Sequence, residues 1–233
     1  MARVRTGRAP GHGSRGPGAP AGAEPAGYPF DERPEILPLI PDAAGTVLDV
    51  GCARGGFGRS LRASGRVDAI WAVEPNETYA HEAAAHYDQV IVGSFPDALA
   101  GHSMRFGCIV FNDVLEHMVD PWNALREARH HLKPGGVVVA SIPNIRNART
   151  VFDLTARGRW TYVDMGVLDR THLRFFTKKT VRILFSDTGY EVEALRGIHP
   201  LGQSHFPLGQ VLPRLLGELA YTGFAVRARP SAG

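Results

Sequence analysis

The sequence predicts an α/β fold, doubly wound around a mostly parallel sheet, and three observations predict it. From Tyr28 onward short apolar runs alternate with segments of helical spacing, the pattern of successive βαβ units. The first clear run, Val47-Leu48-Asp49-Val50, enters the glycine-rich turn Gly51-Cys52-Ala53-Arg54-Gly55-Gly56. The next run ends on an acidic residue, Glu74. With 233 residues and 44% hydrophobic composition, the chain suits one domain with a large core better than two.

Residues 1–27 precede this pattern; they are rich in Gly, Pro, Ala and Arg without apolar periodicity, so a disordered tail is expected there and a single domain over 28–233. Strands are expected at 45–50, 69–74, 89–93, 107–111 and 136–141, and helices at 56–63, 77–86 and 121–132. Asn76 and Asp120 stand where N-cap residues belong. Leu132-Lys133-Pro134-Gly135-Gly136 reads as a stop, because proline cannot continue a helix and glycine accepts a left-handed turn. After Pro143 the periodicity breaks into an irregular stretch reaching Phe176, read as an insertion at about 144–177. A helix is expected at 178–188, ending at Gly189, then strands at 190–196 and 223–229, joined by a long connection with a short apolar helix near 211–219.

Composition excludes several classes of function. No apolar run approaches the roughly 18 residues that span a bilayer, and the N-terminal arginines lack the apolar stretch of a secretory signal, so a cytoplasmic location without a membrane partner is expected. Cys52 and Cys108 lie in or beside core-strand runs and are expected to be free thiols. The ten histidines include no Cys-x-x-Cys or His-x-x-x-His partner set, so no metal is expected. The pI of about 9.1 arises in the tail, where Arg3, Arg5, Arg8 and Arg15 face Glu24 alone; the remaining 22 basic and 22 acidic residues cancel. A neutral folded part offers no basic track, so no nucleic-acid partner is expected.

A glycine turn between a buried strand and a helix lets a ligand approach the backbone and presents free helix N-terminal amides to it. Glu74 ends the next strand about 20 residues later, where a carboxylate accepts hydrogen bonds from ribose hydroxyls. Together these fit a nucleoside-bearing cofactor. They leave open whether it is a dinucleotide or an adenosyl sulfonium.

The apolar run Phe106-Gly107-Cys108-Ile109-Val110-Phe111 leads into Asn112-Asp113-Val114-Leu115-Glu116-His117. Together with Asp49 this segment resembles the class I S-adenosylmethionine-dependent methyltransferases, in particular the small-molecule and glycan-pathway group that carries Asp-Val-Leu-Glu-His at this place. Leu132-Lys133-Pro134-Gly135-Gly136 and Ser141-Ile142-Pro143-Asn144 match that group's next strand entry and exit, and the resemblance covers roughly residues 30–229. It implies a Rossmann-like sheet of seven strands with the last inserted antiparallel, and S-adenosyl-L-methionine bound at the carboxyl ends of the first four. Carried onto this sequence, it puts Asp49, Gly51, Cys52 and Gly55 beside the methionine portion, Glu74 on the ribose and Pro75 near the adenine. It also puts Asn112 and Asp113 around the sulfonium and His117 toward the pocket. Two positions depart from the group. Ala53 replaces a frequent glycine, which is tolerated if its φ stays negative. Ser94 and Phe95 stand where many relatives place an acidic residue for the adenine amino group; Ser94 would make a weaker contact and Phe95 would cover the ring.

Nine Lys or Arg residues lie between Arg146 and Arg182, interleaved with Phe152, Trp160, Tyr162, Phe175 and Phe176. A basic, aromatic cover suits an anionic small-molecule acceptor. Within it, residues 168–177 resemble the acceptor-side segment of the same methyltransferases; if extended, this segment turns His172 and Arg174 to one face. Methyl transfer from a sulfonium needs alignment and, for a hydroxyl acceptor, proton removal, a task suited to histidine. His172 is therefore the candidate base, and Trp160, Tyr162, Asp164, Arg170 and Arg174 the candidate acceptor contacts. The expected function is O-methylation of a sugar or other polar metabolite, with N-methylation next. A nicotinamide-dependent oxidoreductase is disfavoured by Ala53 and by the lack of a Tyr-x-x-x-Lys pair, and an RNA base methyltransferase by Asn112-Asp113-Val114-Leu115 in place of Asn-Pro-Pro-Tyr. A cofactor-binding regulatory subunit is the non-enzymatic rival.

Overall fold

The structure, a computed structural model, describes residues 3–6, 30–201 and 216–231. In chain order its strands are β1 (Arg3–Thr6), β2 (Thr46–Val50), β3 (Ala69–Glu74), β4 (Gln89–Val92), β5 (Phe106–Asn112), β6 (Leu132–Pro143), β7 (Tyr190–Pro200) and β8 (Tyr221–Pro230). The helices are α1 (Gly56–Ala63), α2 (Glu77–Ala83), α3 (Pro121–His130), α4 (Ala148–Arg157) and α5 (Lys178–Asp187). They build one sheet in the order β1-β4-β3-β2-β5-β6-β8-β7. Pairings are parallel from β1 to β6, and β8 inserts antiparallel between β6 and β7. The seven strands β2–β8 are the predicted Rossmann-like sheet.

Alternation along each strand sends successive side chains to opposite faces, which explains the helices on both. Val47 of β2 and Val110 of β5 pack with Phe57 and Leu61 of α1 and Ala80 and Ala83 of α2. Leu48 and Ile109, one residue along in each direction, pack with Leu125 of α3 and Leu184 and Phe185 of α5. Each such large side chain, fully removed from water, contributes roughly 1.5–3 kcal/mol. The chain runs outward from β2 through β3 to β4 and then returns to β5 on β2's other side. That reversal opens a crevice at the carboxyl ends of β2 and β5, the place where open α/β sheets bind ligands.

Three features differ from the expectation. Arg3–Thr6 is a strand, paired in parallel from Arg3 with Gln89 to Thr6 with Val92. The physical reason is that β4 without it is a sheet edge whose unpaired amides and carbonyls template a neighbour. The remainder of the expected tail, 1–2 and 7–27, lies outside the described residues, as does most of the helix expected near 211–219; Gly217–Ala220 is a short 3-10 turn. Within the stretch expected to be irregular, α4 forms behind an Asn147 cap, whose side chain accepts from the Thr150 amide at 3.0 Å, and closes at left-handed Gly158. None of its residues is buried, so no apolar face advertised it in the sequence. β6 starts at Leu132, earlier than predicted, because Leu132 pairs with Phe106 before a bulge resets the register at Val137. No helix among the described residues is long and apolar enough to cross a membrane.

Candidate functional site

At the end of β2 the Gly51 amide donates to the Val73 carbonyl at 2.8 Å, which turns the chain across the crevice. Gly51 has φ +72, and a Cβ there would stand 2.7 Å from a Val114 methyl. Only glycine therefore lets this turn approach the segment after β5. A cavity of about 1190 Å³ opens there, walled by the carboxyl ends of β2, β3 and β5 and by parts of residues 164–172.

Glu74 closes β3 on that wall, 6% exposed. One of its carboxylate oxygens accepts from the Ala53 amide and the other from the Asn76 amide, each at 2.9 Å. Every carboxylate oxygen has more than one lone pair, so the group is fixed with acceptor capacity left for hydroxyls. Burial raises its pKa, against the pull of those two amides. The Ala53 contact corrects one expectation: Ala53 has φ +46, in the left-handed region, because its amide is turned onto Glu74. An L-residue there carries strain of roughly 1–2 kcal/mol. Ala53→Gly should therefore raise unfolding stability by about 0.5–1 kcal/mol after the greater freedom of the unfolded glycine is allowed for, read by urea denaturation; a loss of stability would refute the strain.

Asp49, 1% exposed, accepts a hydrogen bond from the Tyr87 hydroxyl at 2.5 Å through Oδ2, while Oδ1 is buried without a partner. Burial, reinforced by Glu74 and opposed by the Tyr87 bond, pushes the carboxyl up to about 7. The folded protein thus holds a proton that an unfolded chain releases near 3.8, the ordinary value of an aspartate. Stability from this group is full below that value, falls as pH rises toward about 7, and is level above. The whole shift corresponds to on the order of 4 kcal/mol. Asp49→Asn should flatten the decline in unfolding free energy between about pH 4 and 7; an unchanged slope would refute the assignment.

Asn112 ends β5 with both amide atoms buried and without partners. Asp113 follows at φ +51, its carboxylate taking the Ser141 hydroxyl at 2.8 Å and the Arg33 guanidinium. Arg33 enters from ahead of β2 and also donates to Ser141 and to Glu35, at 2.8 and 2.9 Å. Ser94, Phe95 and Pro75 line the far wall, where Phe95 packs edge-on against Phe111. Asp97 stands on the same wall and supplies a carboxylate that the sequence lacks at 93–95.

Opposite lies a 3-10 turn, Leu115–His117. The Glu116 carbonyl accepts from the amides of Leu173 and Arg174, at 2.8 and 3.0 Å, which ties the acceptor-side segment to the end of β5. The Glu116 side chain is 1% exposed, and neither carboxylate oxygen has a hydrogen-bond partner. Burial, then the charge of Asp113, holds its pKa well above the usual carboxylate range. His172 Nδ1 lies 3.1 Å from the Val167 carbonyl and therefore carries the proton in the neutral ring. Its Nε2 lies 3.9 Å from Glu116. The His117 ring meets that of His172 at 4.7 Å, and its Nδ1 lies 3.0 Å from the Thr171 hydroxyl. Burial and neighbouring His172 hold His117 below the ordinary histidine range. Glu116, His117 and His172 bring one ligand atom each within 4.8 Å of one another. Sequence spacing hid this cation-sized grouping, because His172 arrives from a distant loop.

Of the predicted site residues, Asp49, Gly51, Cys52, Glu74, Pro75, Ser94, Phe95, Asn112, Asp113, His117, Asp164 and His172 line the cavity. Gly55 does not: at φ +90 it caps α1, and a Cβ would press within 3.0–3.2 Å of Ala83 and His86, so its role is packing. Trp160, Tyr162, Arg170 and Arg174 also stand off the wall. Trp160 packs edge-on to Phe175, Arg170 pairs with Asp164 at 2.8 Å, and Arg174 donates to the Val119 carbonyl. The extended-segment argument failed because the consecutive amides of Leu173 and Arg174 both donate to the Glu116 carbonyl, at 2.8 and 3.0 Å, so the alternation of an extended strand is lost between His172 and Arg174. The arginines expected to meet an anionic acceptor therefore lie outside the cavity. Sequence reasoning missed Arg33, Tyr87 and Asp97 altogether.

Buried polar atoms that face a cavity without protein partners are places where a bound molecule completes the hydrogen bonding. The free acceptor on Asp49, the Asn112 amide and the fixed Glu74 carboxylate suit a ligand with ribose hydroxyls and a charged amino-acid portion.

Comparison with known proteins agrees with this reading. The model of the methyltransferase-domain family matches residues 24–195. A curated ubiquinone biosynthesis O-methyltransferase of Thiobacillus denitrificans is 26% identical over 182 residues, covering 72% of this chain and 78% of its own. A solved S-adenosylmethionine-dependent methyltransferase of Archaeoglobus fulgidus shares the fold at a TM-score of 0.63 and 15% identity, over 83% of this chain and 89% of its own. The CcbJ methyltransferase of Streptomyces caelestis does so at 0.62 and 17%, over 91% and 100%.

Proposed function

We propose, on the premise that the chain belongs to the methyltransferase-domain family and is an S-adenosylmethionine-dependent methyltransferase, that it methylates a hydroxyl of a sugar or similar polar small molecule in the cytoplasm, with His172 as the base. The observation that supports this reading is that the anchored Glu74 carboxylate and His172 line one cavity at the switch point of the sheet. The Thiobacillus relative named as an O-methyltransferase supports the choice of oxygen.

When bound, the cofactor supplies an already activated methyl group. Glu74 would hold its ribose hydroxyls, Asp49 and Asn112 its amino-acid portion, and Phe95 and Asp97 its adenine. These contacts fix where the methyl lies. Donation from Nδ1 to the Val167 carbonyl keeps the lone pair of His172 on Nε2, the atom that takes the acceptor's proton.

Calorimetric titration with S-adenosylhomocysteine, followed by a labelled-methyl screen of hydroxylated metabolites, tests the reading. Micromolar binding and label on oxygen are expected; absence of S-adenosylhomocysteine binding by the wild-type protein would end it.

A further inference from the structure

We infer that the acceptor carries an ammonium group, held by Glu116 beside His172, and not the negative group that the basic stretch of the sequence suggests. This rests on the methyltransferase reading above and adds the charge class of the substrate to it.

Among the described residues, nine Asp or Glu side chains and two Arg side chains line the cavity, and no Lys does. Both guanidiniums are engaged, Arg33 by Asp113 and Glu35 and Arg54 by Glu82 at 3.5 Å. The six arginines between Arg146 and Arg174 are absent from the wall.

Asp31 and Asp113 face Arg33, and the other seven carboxylates divide between two groups. Asp49, Glu74 and Asp97 belong to the β2–β4 side, where the cofactor fits, while Glu116, Asp120, Asp164 and Asp169 face it from the acceptor side. Three of these four have protein donors: Asp120 caps α3 through the Asn123 amide, Asp164 pairs with Arg170, and Asp169 takes the Thr171 hydroxyl at 2.6 Å. Glu116 is different, wholly buried and with neither oxygen hydrogen-bonded. A carboxylate buried without donors costs several kcal/mol, so a ligand that brings donors and positive charge binds where the protein supplies neither. An ammonium has three donors and no acceptor. Glu116 offers it a carboxylate oxygen, which leaves the lone pair of His172 Nε2, 3.9 Å from that oxygen, to the acceptor hydroxyl.

The test uses three matched probes, glucosamine, glucose and glucuronate, titrated by ligand-observed NMR into protein saturated with S-adenosylhomocysteine and containing EDTA, at pH 7. Glucosamine should bind at least about tenfold tighter than glucose, the smaller end of what a desolvated charge pair contributes, and glucuronate should bind weakest. Glu116→Gln should bring glucosamine to the level of glucose, with S-adenosylhomocysteine binding in the same sample reporting that the variant folds. Equal responses to the three probes, tighter glucuronate, a preference that survives in Glu116→Gln, or one that needs added magnesium or zinc would overturn the proposal. Should that variant not fold, the wild-type ranking alone still decides. Failure of the wild type to bind S-adenosylhomocysteine would instead remove the methyltransferase reading itself.

Discussion

Glu74→Ala should weaken S-adenosylhomocysteine binding by about 100-fold, within the range measured when one partner of a buried charged hydrogen bond is removed. Two losses combine. The ribose hydroxyls lose their acceptor, and the amides of Ala53 and Asn76, both held by this carboxylate, lose the partner that shapes the glycine turn and the start of α2. Glu74→Gln separates the two effects. Its amide oxygen still accepts, but its nitrogen faces an N–H donor, so a loss of roughly tenfold is expected, one hydrogen bond to a charged group. Calorimetry on both variants measures this, and affinities within threefold of wild type would show that Glu74 serves the turn alone. Folding should change less than binding, because deleting a buried carboxylate relieves part of its desolvation.

What the sequence disclosed here follows the range of the interactions involved. The strand-and-turn elements around Asp49, Glu74 and Asn112 were legible because local signals set them: apolar runs, glycines at the bends and an acid at a strand end. The same locality explains the errors. Ala53 was expected at negative φ, yet a side chain 21 residues away holds its amide in the left-handed region. Arg33 precedes every recognisable motif and reaches Asp113 across 80 residues, and Tyr87 reaches Asp49 across 38, so neither pairing leaves a spacing to read. The acceptor side failed for a related reason. Its arginines were counted along the chain as if they faced inward, whereas His172 lines the cavity and Arg170 and Arg174 stand outside it. Charge composition of a segment is thus a poor guide to the charge of the surface it presents.

Loss of the His172 imidazole should have the larger effect on turnover. His172→Asn, assayed with the acceptor that the methyl screen identifies, should lower kcat by about 10²–10⁴-fold, the usual contribution of a positioned general base. S-adenosylhomocysteine affinity should stay near wild type, because the contacts that fix Glu74 and Asp49 do not involve His172. The loss should fall on kcat with KM for the acceptor little changed, whereas a residue that merely shapes the loop would raise KM as well. His117→Asn provides the contrast. Its Nδ1 is engaged by Thr171, which is itself held by Asp169, so His117 supports the neighbouring ring rather than meeting the substrate proton. Its removal should cost only about tenfold, because a supporting contact shifts alignment without deleting the base. Equal losses in the two variants, or a His172→Asn loss confined to KM, would move the proton-accepting role away from His172 and leave alignment of the acceptor as this wall's whole contribution.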